Sequence, residues 1–269
     1  VIPDYTLVIG VDQSHLQQLT WTWPTWRKHK PSILKHPMIV FRDWQQVTEE
    51  QVKAVVDHPN LRVYSWPPVK MEYERVGEDR FGDPQRHKML SGFIYVAAAF
   101  VRTPYWLKLD TDVVATGRDD WIDPNWFTDE PAIVSHPWAF TRPPDQMLKL
   151  DAWVEANKNK MPVLSSLPPL DMRPIPGKDR LDHKRIISWC AFFNTRFTTI
   201  CRDVARSACG NLKLPIPSQD GFCWYVAARM GLGVQRHQMK KRGWQHWHTS
   251  WNIRTHAEEA MKDGKLFVS

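Results

Sequence analysis

Runs suited to strands alternate with helical spacings along the first third of the chain. Thr6 to Val11 is rich in β-formers and ends at Asp12. Ser14 with Gln17 has the pattern of a capping box, and Leu16, Leu19, Trp23 and Trp26 then recur on one helical face. This predicts a helix that Pro24 should kink or end. Met38 to Phe41 reads as a second strand, closing at Arg42-Asp43. Thr48 with Gln51 marks another capping box, with Val47 and Val52 at the staple positions and Glu49 and Glu50 at the positive end of the helix dipole. Leu61 to Tyr64 reads as a third strand.

Residues 65 to 83 contain Pro67, Pro68, Gly77 and Gly82 and read as a loop. Asp83-Pro84 suits a helix start, and Met89, Phe93, Ala97 and Phe100 share one face up to the stop at Pro104. A buried strand, Tyr105 to Leu109, follows and runs into Asp110-Thr111-Asp112. The later chain is less regular. It predicts a strand at Ala132 to Ser135, a helix at Asp145 to Asn157, a long proline-rich loop over 161 to 185 and a strand at Ile186 to Phe193. A helix bearing Phe197, Ile200, Val204 and Ala208 comes next, closed by Gly210. The order implies an α/β fold: a Rossmann-like, mostly parallel central sheet with helices on both faces. No composition break divides the 269 residues, so a single domain, 1–269, is expected.

The acidic triplet carries the sharpest chemistry. On an extended strand, residues two apart point to one side, so Asp110 and Asp112 would concentrate negative charge. A hard divalent cation relieves that charge and often shares its oxygen ligands with a substrate phosphate. Asp-x-Asp is also common in ordinary exposed turns. Its place at the end of a buried strand, where open α/β sheets bind ligands, favours the functional reading.

Two later segments add candidates. Ser218 suits an N-cap, which sets Asp220 in a first helical turn ahead of Phe222 to Met230 and Gly231. There the dipole keeps the carboxylate ionised, either as a stabiliser of the helix end or as a general base. Trp244-Gln245-His246-Trp247-His248 offers two histidines, a weak metal signal by itself.

Composition narrows the partners. The net charge of +7 calls for an anionic partner: nucleic acid, an anionic membrane or a nucleotide-linked substrate. The densest basic stretch contains Arg236, Lys240, Lys241 and Arg242, and fifteen tryptophans suit either a core or a sugar- or membrane-facing surface. Cys190, Cys201, Cys209 and Cys223 form no Cys-x-x-Cys pair, so a reduced, cytoplasmic setting is expected and zinc is not. The longest apolar run, the nine residues from Phe93 to Val101, is too short to span a bilayer. The first residue is Val1, so a trimmed leader stays open.

Taken together, the N-terminal βαβ pattern, the apolar strand ending Leu-Asp-Thr-Asp, the Gln-Asp-Gly helix start and the late histidine resemble a GT-A glycosyltransferase. The resemblance spans about Thr6 to His248, and the acidic strand is its specific part. It implies a nucleotide-sugar-binding half, 1–116, and an acceptor-binding half, 117–269. Asp110 and Asp112 would be the Asp-x-Asp motif holding Mn²⁺ or Mg²⁺, with Asp110 touching the ribose or the metal. Asp12 and Asp43 fall where the family holds the nucleoside, and Arg86 and Lys88 where it places a basic donor-binding residue. Asp220 would be the base of an inverting enzyme, and His246, or else His248, the late metal ligand. Trp189, Phe192 and Phe193 could line the acceptor side, although core packing is the commoner role for the two phenylalanines. The implied partners are a nucleotide-diphosphate sugar, UDP-linked by default, and a carbohydrate or lipid-linked glycan acceptor. Contact with the inner face of a membrane follows from the basic, Trp-rich composition. The first strand lacks the family's Pro-x-Tyr-Asn type of ending and Gln219 replaces a common Glu, which leaves inversion or retention open.

Two other classes compete. The triplet resembles the start of haloacid-dehalogenase phosphatases, where Asp110 would be a nucleophile, but that motif opens its chain and here three strands come first. A basic, non-enzymatic nucleic-acid- or glycan-binding protein fits the charge alone; no nucleic-acid motif is present, so nucleic acid is not an expected partner.

Overall fold

Alternating side chains on four parallel strands build the centre of the molecule. In a computed structural model, residues 1–65, 73–75, 93–135, 138–139, 145–160, 184–185, 190–208, 214–216, 219–232, 234–236 and 267–268 are described. The main-sheet strands are β1 (Tyr5–Val11), β2 (Met38–Arg42), β3 (Leu61–Ser65), β4 (Tyr105–Leu109), β5 (Ile133–Ser135), β6 (Cys190–Asn194) and β7 (Val234–Arg236). The helices are α1 (Gln13–His29), α2 (Glu49–Val55), α3 (Phe93–Phe100), α4 (Asp145–Asn157), α5 (Thr195–Ala208) and α6 (Gln219–Arg229). The seven strands stand in the order β7-β5-β6-β4-β1-β2-β3. Only β6 runs against the rest, antiparallel to both β4 and β5. The mostly parallel sheet expected from the element order is therefore present, in a single α/β domain. The reversed strand was not foreseen.

Strand alternation feeds two cores. Leu7, Ile9 and Val11 of β1, Val40 of β2, Leu107 and Leu109 of β4 and Phe192 of β6 pack with Leu16, Leu19, Trp23 and Trp26 of α1 and Val52 of α2. Val8, Phe41, Trp106 and Phe193 face the other way, onto Ala97 of α3, Leu150 of α4, Phe197 and Val204 of α5 and Phe222 of α6. Helices thus cover both faces. Burying each such side chain contributes about 1.5–3 kcal/mol before conformational entropy is charged against it. Phe192 and Phe193 are core residues, Phe193 stacked on Trp106 at 4.8 Å. Trp23, Trp26, Trp106, Trp121, Trp126 and Trp224 are also buried, so the described tryptophans serve mainly as core, with Trp44 exposed.

Several local expectations change. Asp12, not Ser14, caps α1, accepting from the His15 amide. The helix continues through Pro24 to His29. Pro24 and Thr20, whose carbonyl loses its helical partner, are both exposed, so water can serve that acceptor. Tyr73–Arg75, expected within a loop, is a short strand paired with Leu214–Ile216. Both reciprocal bonds of the Thr48 capping box are present, at 2.8 and 3.2 Å. Gly231 closes α6 at φ +63°; its amide donates to Ala228 and that of Leu232 to Ala227. Both bonds need a left-handed residue at this point, which glycine adopts without a Cβ penalty.

One buried network anchors α6. Arg229 donates to Asp151 at 2.9 Å and Glu155 at 2.7 Å, and the Tyr225 hydroxyl donates to Asp151 at 2.7 Å. The Arg229 side chain is fully buried, so these carboxylates on α4 fix the C-terminal end of α6. Among the described residues, no helix is long and apolar enough to cross a membrane.

Candidate active site

The parallel strands β1, β2 and β4 deliver four acids to one edge of the sheet. Asp12 follows β1, Asp43 follows β2, and Asp110 and Asp112 follow β4. The Asp43 amide donates to the Val11 carbonyl at 2.8 Å, which extends the β1–β2 pairing and sets Asp43 beside the Asp12 corner. Both residues are buried. Asp43 accepts from the Gln45 amide at 2.9 Å.

Asp12 is heavily compensated. Its Oδ1 accepts from the His15 amide at 2.9 Å and the Ser14 hydroxyl at 2.7 Å, and the His15 imidazole Nδ1 lies 2.8 Å away. Burial raises the carboxyl's pKa, but the contacts with His15 and Ser14 outweigh it and hold Asp12 well below the usual carboxylate range.

The acidic triplet is a turn rather than an extended strand. β4 ends at Leu109, and the Val113 amide donates back to the Asp110 carbonyl at 3.3 Å. The expectation that strand pleating aligns Asp110 and Asp112 is therefore corrected: a tight turn brings them close enough to repel. Burial and the neighbouring Asp110 charge push Asp112 above its ordinary pKa, and its own amide, Lys108 and His15 oppose this only in part. Lys108 lies on β4 with its side chain only 5% exposed, and its ammonium pairs with Asp110, which is 40% exposed.

Helix α1 holds this turn from beneath. Thr22 donates its hydroxyl to the Thr111 carbonyl at 2.7 Å, and the Thr111 hydroxyl donates to Gln18 at 2.5 Å. The Trp26 indole donates to the Val113 carbonyl at 2.8 Å, and the Ala115 amide donates to the Thr25 hydroxyl at 3.0 Å. Lys30, fully buried, reaches the carbonyls of Thr116, at 2.7 Å, and Arg118. Burial pushes its amine down to about 8 against the pull of Asp119 and Asp120. One face of α1 thus supports residues 111 to 118, while its N-cap is Asp12.

The other predicted residues divide into two groups. Asp220 is the second residue of α6, in the first turn as expected. Arg86, Lys88, Trp189, Lys240, Lys241, Arg242, His246 and His248 lie outside the described residues. Sequence reading missed Lys108, His15, Gln18, Thr22 and Lys30. Thr22 and Lys30 carried a signal, since polar residues flanking a Leu/Trp stripe can lie on its buried edge. Lys108 carried a stronger one: a lysine in an otherwise apolar strand two residues before an acid shares that acid's side.

A divalent cation fits this turn. Among the described residues no group of three or more His, Cys, Asp and Glu forms a metal cluster. Two carboxylates of partly uncompensated charge suit an ion held by one or two carboxylates plus substrate phosphates. The phosphatase alternative called for an acidic strand at the start of the fold, whereas three parallel strands precede β4.

No protein-family model and no curated protein matches the sequence. Solved structures do. Core-mannan synthase A (CmsA/Ktr4) from Aspergillus fumigatus, in its Mn/GDP form, superposes with a TM-score of 0.58 at 12% identity, over 88% of this chain and 73% of that one. An active-site variant of LgtC gives 0.53 at 12% identity, over 98% and 86%. Mouse xyloside xylosyltransferase 1, in its apo form, gives 0.50 at 10% identity, over 98% and 97%. Strand order, the acidic turn at the edge of the sheet and these superpositions agree that the chain has the GT-A fold of nucleotide-sugar transferases.

Proposed function

We propose that the protein is a metal-dependent glycosyltransferase that moves a sugar from a nucleoside-diphosphate donor to a hydroxyl of a carbohydrate or lipid-linked acceptor. The observation that carries this reading is the Asp110–Asp112 turn, which gathers charge at the ligand-binding edge of a GT-A sheet. Asp112, with Asp110, would hold Mn²⁺ or Mg²⁺, and His246 or His248 would complete the set. When bound, such an ion offsets the charge that builds on the departing diphosphate.

The chain's own groups supply the rest. Asp43 and the Asp12 corner border the nucleoside, and Arg86 or Lys88 adds fixed positive charge beside the phosphates. As the bond from the anomeric carbon to the diphosphate oxygen breaks, an acceptor oxygen bonds to that carbon. Asp220 accepts the acceptor's proton as that oxygen attacks the face opposite the leaving diphosphate, a single displacement that inverts the anomeric centre. UDP follows from the family resemblance, while the Mn/GDP form of CmsA/Ktr4 puts guanine beside uracil as a candidate base. Contact with an anionic membrane through Lys240, Lys241 and Arg242 belongs to the lipid-linked version of this reading.

Thermal unfolding with UDP, GDP, CDP, dTDP and their sugars, each with and without Mn²⁺, tests it. A nucleotide at a hundred times its dissociation constant should add about 2.7 kcal/mol. One base stabilising only with Mn²⁺, an effect lost in Asp112→Ala, supports the reading and identifies the donor class. No shift with any nucleotide rejects it.

A further inference from the structure

Lys108 is an uncommon residue for its place. Its neighbours across the strands are Val8 of β1 and Ala191 of β6, and its side chain lies on the sheet face occupied by Trp106. Lysine is rarely buried without a partner, and an apolar side chain would fill this position without a desolvation cost. The ammonium instead reaches Asp110, the first residue past the end of the strand. It supplies a positive charge at the acidic turn from within the fold.

We propose that Lys108 is a positioning residue that makes divalent-cation binding at Asp110 and Asp112 conditional on a nucleoside diphosphate arriving with the ion. The inference rests on the transferase reading and deepens it. The ammonium paired with Asp110 offsets part of the negative charge that the two carboxylates bring together. A bare divalent ion then meets a site whose negative charge is partly cancelled and is weakly held. An ion already chelated by a diphosphate brings the missing negative charge and additional oxygen ligands, so the combination is held firmly. Lys108 also competes for Asp110 and keeps that carboxylate ordered when no ion is present. Metal without donor would consequently leave the site largely empty.

Titration of Mn²⁺ into the full chain, followed by the electron paramagnetic resonance of the free ion, tests the proposal without turnover. Wild type, Lys108→Met and Lys108→Arg are compared alone and with GDP or UDP. Wild type should bind Mn²⁺ about a hundredfold more tightly with its accepted diphosphate than alone, and the diphosphate should gain the same factor from Mn²⁺. Lys108→Met should tighten binding of Mn²⁺ alone by about tenfold or more and shrink the coupling by a like factor. Lys108→Arg, which keeps the charge, should behave as wild type.

Unchanged or weaker binding of Mn²⁺ alone in a folded Lys108→Met overturns the proposal, because a purely structural lysine predicts that result. Should the Met variant fail to fold, the wild type decides: equal affinity for Mn²⁺ with and without diphosphate also overturns it. A wild type that binds neither Mn²⁺ nor any nucleotide, in any combination, removes the transferase reading itself.

Discussion

Asp12 and Asp112 are acids set just past the ends of adjacent parallel strands, and they differ in how their charge is met. Asp12 is encircled by the first turn of its own helix, whose amide, hydroxyl and imidazole all converge on one oxygen. Asp112 sits in a turn against a second carboxylate, and burial with that neighbouring charge raises its pKa above the ordinary value. The first arrangement stabilises the fold by itself. The second is held in place by the fold at some expense, which is the usual condition of a group kept for a ligand. Burial alone does not separate the two; compensation does.

Replacing Asp112 by Asn gives the widest separation. Metal-dependent nucleotide stabilisation should vanish, a loss of about 2.7 kcal/mol at a hundredfold excess over the dissociation constant, and turnover should fall a hundredfold or more. The metal-free variant should melt at or above the wild-type temperature, because the substitution removes a strained charge. A metal-free melting point well below wild type would mean that Asp112 is a structural acid like Asp12.

Asp12→Ala should do the reverse. The lost cap and imidazole contact should cost about 2 kcal/mol, which lowers the melting temperature by roughly 4–8 °C in a domain near this size. The metal-free protein should show the full loss. A variant that melts normally and only loses nucleotide affinity would make Asp12 a ligand-binding residue first.

Thr22→Val tests whether the acidic turn depends on its support. It keeps the shape and removes the hydroxyl that satisfies the Thr111 carbonyl. Stability should drop by about 1 kcal/mol, with a few-fold loss in metal-dependent nucleotide affinity. Thr22→Ser should restore both. Urea unfolding of the two site variants and Thr22→Val separates these stability terms from ligand effects.

Acid titration sharpens the contrast further. The Asp12 carboxyl is depressed in the fold, so its contribution is complete above the unfolded value of 3.8 and is lost as pH falls below it. Asp112 is raised, so its burden is greatest at neutral pH and eases as pH falls through the folded value towards 3.8. The stability difference between wild type and Asp12→Asn should therefore close only in strong acid. The advantage of Asp112→Asn should narrow at a higher pH than that, as pH falls towards 3.8. Urea melts from pH 7 to pH 3 measure both.

Much of the framework was legible because burial leaves a periodic trace. β1, β2 and β3 appear within a residue or so of their expected limits, as does α4, and the Thr48 cap carries both expected bonds. What escaped depends on long-range partners. β6 reads locally as any other apolar strand, and its antiparallel direction shows only in its pairing with β4 and β5, both distant in sequence. Asp12 looked like a strand-end acid because its role as a cap arises only when Ser14 and His15 fold back onto it. The Asp110–Asp112 geometry was drawn from an extended strand, yet support by Thr22, Gln18 and Trp26 of α1 accompanies a turn whose contacts span some ninety residues. Pairing of Lys108 with Asp110 was within reach, since a two-residue spacing on a strand is enough to suggest it.

The reversed strand has a consequence for biosynthesis. β6 fills the slot beside β4, but Cys190 emerges roughly eighty residues after its partner Leu109. At about 5–20 residues per second, the growing chain presents β1 through β4 for some 4–16 s before that slot can close. During this interval the flank of β4 is an open β edge lined by Trp106 and Leu107, a template for pairing with other chains. Slowing the ribosome between 110 and 190, or overloading the nascent-chain chaperones, should therefore lower the soluble yield of this protein more than that of one whose neighbouring strands are consecutive in sequence.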